Sequence, residues 1–175
     1  DAALEVAQLG PCLEVGSYCG KSTVYLGAAC QRRGNTLYAV DHHRGSEEHQ
    51  AGEQYHDVQL FDETTGQVDS FSYFRTTLRN SQLEDTVIPI VAASAVVQRH
   101  WATPLSLVFI DGGHSEAMAR QDCLGWAEHV VAGGILAIHD IFARPEDGGQ
   151  GPYLAMMAVL DNLAFDKVAQ VDSLA

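Results

Sequence analysis

The chain alternates short apolar runs with amphipathic stretches, and each apolar run stops at a polar residue or a glycine. The first run, Cys12-Leu13-Glu14-Val15, leads into Gly16. Residues 22–33 read as a helix, begun at Lys21 or Ser22 and closed by Gly34-Asn35. Thr36-Leu37-Tyr38-Ala39-Val40 is a second strand and ends at Asp41. A strand-helix-strand unit of this kind makes its two strands parallel. A chain that repeats the unit must build a mostly parallel sheet with both faces covered.

The unit does repeat. Residues 71–80 read as a helix with Phe71, Phe74 and Leu78 on one face. Val87 to Val91 is a strand, 95–101 a short helix, and Leu105 to Ile110 a strongly apolar strand ending at Asp111. A helix over 115–131 follows. Gly133-Gly134 then turns into a strand over 135–138 that ends at His139-Asp140. Residues 153–163 form a last helix and 167–171 a sixth strand, while residues 1–10 end a helix at Gly10-Pro11. The expected fold is α/β: a doubly wound, mostly parallel sheet with helices on both faces, in one domain over 1–175. Only the stretch from about 42 to 69 breaks the rhythm. It is rich in His, Glu, Gln and Gly, and an insert of that length is expected to act as a lid. The chain starts without Met and stops at Ser173-Leu174-Ala175, so trimmed ends are expected.

Composition narrows the function. The net charge is −13, from 23 acids against 10 bases. A nucleic-acid binder needs basic surface to neutralise phosphates, so nucleic acid is not an expected partner. An acidic enzyme working on a small molecule with a bound cation fits better, although acids also serve solubility alone. The four cysteines, Cys12, Cys19, Cys30 and Cys123, form no C-x-x-C pair and read as free, mostly buried thiols in a reducing cytoplasm. No apolar run is long enough to span a membrane and no signal peptide opens the chain, so a cytoplasmic location away from membranes is expected.

Open α/β sheets bind ligands beyond the carboxyl ends of their strands. Polar groups collect at those ends: Glu14 and Gly16, Asp41, Ala93-Ser94, Asp111, and His139-Asp140. Five such tips outline one site. Gly16 allows a sharp bend, Gly20 allows a ligand to approach the backbone, and the following helix N-terminus offers N–H groups to an anion. Tyr18 stands where a dinucleotide motif needs its second glycine, which argues against NAD. Asp41 is placed to accept both hydroxyls of a ribose, or to cap a turn.

These residues carry a resemblance. Cys12-Leu13-Glu14-Val15-Gly16-Ser17-Tyr18-Cys19-Gly20-Lys21-Ser22 resembles the first motif of the catechol O-methyltransferase group, within class I S-adenosylmethionine-dependent methyltransferases. Ala92-Ala93-Ser94 resembles that group's adenine-side turn, and Phe109-Ile110-Asp111 with Ala137-Ile138-His139-Asp140 resembles its metal-binding acids. Asp111-Gly112-Gly113-His114 is closer still to the bacterial branch of macrolide-sugar O-methyltransferases and cephalosporin-hydroxylase-like proteins. The likeness spans nearly the whole chain outside the insert. It implies S-adenosylmethionine as cofactor, held by Glu14, Gly16, Ser17, Tyr18, Gly20, Ser22, Asp41, His42, Ala93, Ser94 and Asp111. It implies a divalent metal on Asp111, His139 and Asp140, a small-molecule hydroxyl as substrate, and Asp111 and His114 as catalytic residues.

The catechol enzymes carry a lysine base where this chain has His114, and an acid and an amide where it has His139 and Asp140. Magnesium prefers oxygen ligands, and an imidazole suits manganese, iron or zinc. His114 could be a general base, a cap of the following helix, or a metal ligand. His42, His43, His49 and His56 in the insert offer a second metal site as an alternative to a plain lid. Two further readings compete with methyl transfer: a metal-dependent oxygenase on the same scaffold, and a non-catalytic cofactor-binding module. Self-association into a homo-oligomer is compatible with all three. Trp101 and Trp126 read as packing residues.

Overall fold

The computed structural model describes residues 9–46, 50, 52 and 57–175. Five parallel strands form its sheet: β1 (Cys12–Val15), β2 (Leu37–Asp41), β5 (Val87–Val91), β6 (Leu105–Ile110) and β7 (Val130–Ile138). Their spatial order is β5-β2-β1-β6-β7. The chain builds outward from β1 through β2 to β5, then returns to the other side of β1 for β6 and β7. The direction therefore reverses between β1 and β6, and their tips, Val15-Gly16 and Ile110-Asp111, face a crevice.

The strands are apolar on both faces because both are covered. Cys12, Leu37, Ala39, Leu107 and Phe109 pack with Cys30 of helix α1 (Lys21–Arg32) and with Phe74 and Leu78 of α2 (Phe71–Asn80). Leu13, Val15, Val40, Val108 and Ile110 face the other way. They meet Ala119, Cys123 and Trp126 of α4 (Glu116–Ala127) and Ala155, Met156 and Val159 of α5 (Gly151–Asn162). A short helix α3 (Ser94–Gln98) joins this second layer through Val97. The doubly wound sheet with helices on both faces is the fold the sequence pattern implies. Trp126 is fully buried, and the partly buried Trp101 packs edge-on against it and against Tyr38, so both tryptophans are packing residues.

Two expectations need correction. The helix after Ser115 ends at Ala127, and β7 begins at Val130 rather than at 135. Val130 and Val131 are β-branched and favour a strand. Gly133, at φ 79°, sits in a bulge where the pairing slips between Leu105 and Leu107. The expected strand over 167–171 does not form. The chain turns instead at Asp172, at φ 51°, and the tail hydrogen-bonds to the sheet edge through Ser173 to Ile141 and Ala175 to Ile138. Within the insert from 42 to 69, for which no elements were expected, a single 3-10 turn at Val58–Leu60 leads into a two-stranded hairpin, β3 (Phe61–Asp62) and β4 (Gln67–Val68). The helix expected in residues 1–10, and His49 and His56, lie outside the described residues apart from Leu9 and Gly10. Among the described residues, no helix is long and apolar enough to cross a membrane.

Candidate active site

A cavity of about 460 Å³ opens over the strand tips at the reversal point. Gly16, Ser17, Tyr18, Ser22, Asp41, His42, Ala93, Ser94, Asp111 and His114 all line it, and the strand order sets Ala93-Ser94 past the tip of β5, Asp41 at the tip of β2, Gly16 past the tip of β1 and Asp111 past the tip of β6. Most residues singled out in the sequence therefore meet in one place. Glu14 and Gly20 do not line the cavity.

Gly16 has φ 88°, and a Cβ there would stand 2.0 Å from the Asp111 carbonyl oxygen. The bend is what lets the tips of β1 and β6 touch. Gly20, at φ 93°, caps α1 without a side chain, and a Cβ on it would stand 3.0 Å from the Thr77 methyl. Helix α2, rather than a ligand, is the close neighbour of Gly20. Lys21 and Ser22, the first residues of α1, line the cavity, so the N-terminus of α1 meets it, which suits an anion.

Glu14 sits behind that wall, fully buried, and accepts a hydrogen bond from the Thr23 hydroxyl. Burial raises its carboxyl from 4.5 to about 7, against the opposing pull of the Ser22 and Thr23 hydroxyls. Its Oε1 and the Ser17 hydroxyl are buried without an aligned partner, and of the two only Ser17 lines the cavity, where a polar ligand group could meet it. A group whose folded value is raised contributes stability that is complete below its unfolded value and lost as pH climbs through the folded one. Wild type should thus lose about 3 kcal/mol relative to Glu14→Gln between pH 4.5 and 7. Urea unfolding of both proteins at pH 5 and pH 8 reads this directly, and a stability gap independent of pH would contradict it.

Asp41 is held by two backbone donors. Tyr18 N–H reaches Oδ2 at 2.7 Å and His43 N–H reaches Oδ1 at 2.7 Å. The turn-capping role and the ribose role are compatible, because each carboxylate oxygen keeps a second lone pair. His43 is itself buried, with Nδ1 2.9 Å from the Ser70 hydroxyl and its ring against Phe71 and Phe74. Burial lowers its pKa and keeps it neutral, as a packing residue of the insert's base.

Beside the cavity, Asp111, His139 and Asp140 converge. Their ligand atoms lie within 4.8 Å of one another. His139 Nδ1 is 3.2 Å from Asp111 Oδ1 and 3.1 Å from Asp140 Oδ1, yet makes no aligned hydrogen bond to either. One imidazole nitrogen facing two carboxylates is a donor set that fits a divalent cation. His114 Nε2 lies 3.0 Å from Asp140 Oδ2. That pairing holds Asp140 below the usual carboxylate range, whereas burial pushes Asp111 above it. Helix α4 is capped at Ser115, so His114 is not its cap.

Sequence reasoning missed Thr23, Met118, Gln121 and Asp122. The last three reach the cavity from α4. A signal existed for Asp122: it is a carboxylate on the apolar stripe made by Ala119, Cys123 and Trp126.

A cleft at the switch point of an open parallel sheet, lined by the first residues of a helix and by a strand-tip carboxylate, suits an adenosine-type cofactor. Residues 13–141 match the family model described as methyltransferase domain, and the chain belongs to that family. It is a class I, S-adenosylmethionine-dependent methyltransferase. Solved structures share the fold. The O-methyltransferase NovP is 17% identical, with 98% of this chain and 74% of that one covered and a TM-score of 0.67. The SAH-bound Podospora anserina methyltransferase PaMTH1 is 12% identical over 94% and 69%, with a TM-score of 0.61. SMU.1697c from Streptococcus mutans, in complex with SAH, is 13% identical over 98% and 92%, with a TM-score of 0.59.

Proposed function

We propose that the chain transfers the methyl group to a hydroxyl of a small molecule, with a divalent metal at Asp111, His139 and Asp140. The observation that carries this reading is the position of that cluster. It adjoins the cofactor cavity through Asp111, which belongs to both, and it meets His114 through Asp140. The name of NovP, an O-methyltransferase, supports the choice of oxygen.

The roles are those the resemblance implies, and the lining of the cavity is compatible with them. Ser17, Ser22 and the N-terminus of α1 receive the methionine carboxylate, with Glu14 behind them. Asp41 receives the ribose hydroxyls, and the Ala93-Ser94 end receives the adenine. S-adenosylmethionine supplies a methyl group already activated on a sulfonium. A divalent cation, when bound, lowers the pKa of a hydroxyl beside it. His114 takes the hydroxyl's proton, while Asp140 orients the imidazole and stabilises its charged form. Catalysis is then mainly alignment of the oxygen with the methyl group. His42, Gly45 and Ser46 already stand on the cavity wall, which suits the insert to a lid.

The test uses chelator-stripped protein, S-adenosylmethionine labelled in the methyl group, and a panel of sugars and phenols. Label should appear on oxygen only after manganese or magnesium is restored. Transfer to nitrogen, or equal transfer with chelator present, would overturn the reading.

A further inference from the structure

We propose that Asp122 selects the adenine base by accepting a hydrogen bond from its 6-amino group. This deepens the reading above and rests on the cofactor lying in the cavity in that direction. The direction follows from the wall itself. The strand order sets the tips side by side, with Gly16 and the first residues of α1 following β1, Asp41 ending β2 beside it, and Ala92–Ala95 following β5 at the sheet edge. With the ribose at Asp41, the base lies past the tip of β5, at the Ala92–Ala95 turn, where α4 packs on α3 through Trp126–Ser94 and Gly125–Gln98.

That end is shaped for a flat heterocycle. Ala92, Ala93, Ala95 and Met118 offer apolar surface to its faces. The polar groups for its edge are fewer than the sequence suggests. Ser94 is largely engaged: its hydroxyl oxygen accepts the Trp126 Nε1–H at 2.7 Å and its hydroxyl interacts with the Asp122 carboxyl, which leaves it a single neutral lone pair. Asp122 is therefore the stronger reader. It is 8% exposed, it lines the cavity, and Ser94 occupies only part of its acceptor capacity. Burial raises its pKa, as it must for a carboxyl kept in so dry a place without a cation. A carboxylate oxygen here attracts an amino group and repels a carbonyl. A 6-oxo purine would meet it oxygen to oxygen.

The consequence can be reversed by one atom. In Asp122→Asn the Ser94 proton still needs an acceptor, which fixes the amide oxygen on Ser94 and turns the amide NH2 toward the base. The variant should prefer a 6-oxo purine.

The experiment compares S-adenosylhomocysteine with S-inosylhomocysteine by calorimetry, on wild type and on D122N. Wild type should bind the adenosine compound about 30-fold more tightly, a discrimination of the size a buried charged acceptor supplies. D122N should lose that ratio or invert it. The ratio is unaffected by the fraction of protein folded, so a destabilised variant still reports. An unchanged ratio in D122N overturns the assignment while leaving the cofactor site standing. No binding of either compound to wild type overturns both this assignment and the cofactor reading beneath it.

Discussion

Asp41→Ala should weaken S-adenosylhomocysteine binding by about a hundredfold or more. Two ribose hydroxyls hydrogen-bonded to a carboxylate contribute about 1.5–3 kcal/mol each, and alanine removes both. The same carboxylate also accepts the N–H groups of Tyr18 and His43, so its loss frees the glycine turn and the base of the insert at once. Asp41→Asn separates the two contributions. Its amide oxygen can satisfy one backbone donor, and its NH2 would repel the other. Binding to Asp41→Asn should fall to a level between wild type and Asp41→Ala. Calorimetric titration with S-adenosylhomocysteine measures all three, and an affinity within threefold of wild type in Asp41→Ala would remove Asp41 from the site.

Asp140→Asn should abolish tight manganese binding and lower methyl transfer by about a thousandfold, with S-adenosylhomocysteine affinity within a few-fold of wild type. Asp140 lies outside the cavity wall, so the cofactor is not its direct partner. Asparagine tolerates the left-handed backbone at this position, φ 57°, which alanine would strain. The substitution removes one of two carboxylates facing His139 and weakens the orientation of His114. A metal that supplies several kcal/mol of charge stabilisation accounts for the thousandfold figure. Manganese binding followed by electron paramagnetic resonance gives a readout besides activity. Undiminished manganese affinity in the variant would move the metal elsewhere.

The strands were legible in the sequence because residues buried on both faces need not alternate, and each apolar run stood out from its flanks. The polar tips were legible for the same reason: Asp41, Asp111 and His139-Asp140 end apolar runs abruptly. What could not be read was contact across the sheet. That Gly20 makes room for Thr77 depends on where α2 packs, fifty-odd residues later in the chain. Thr23 holds Glu14 only because α1 lies over β1. Asp122 was hidden by its place on a helix that the strand-tip argument does not inspect, and Ser94 looked available until Trp126 reached it. The slip of β7 came from two adjacent glycines that mark a turn and a bulge equally well.

The central claim is that the cavity over the β1–β6 tips binds S-adenosylmethionine. Calorimetric titration of wild-type protein with S-adenosylhomocysteine, with and without manganese, tests it most directly. One saturable site per chain is expected in both conditions, lost or strongly weakened in Asp41→Ala. Absence of binding in wild type, or binding equally tight in Asp41→Ala, would contradict it.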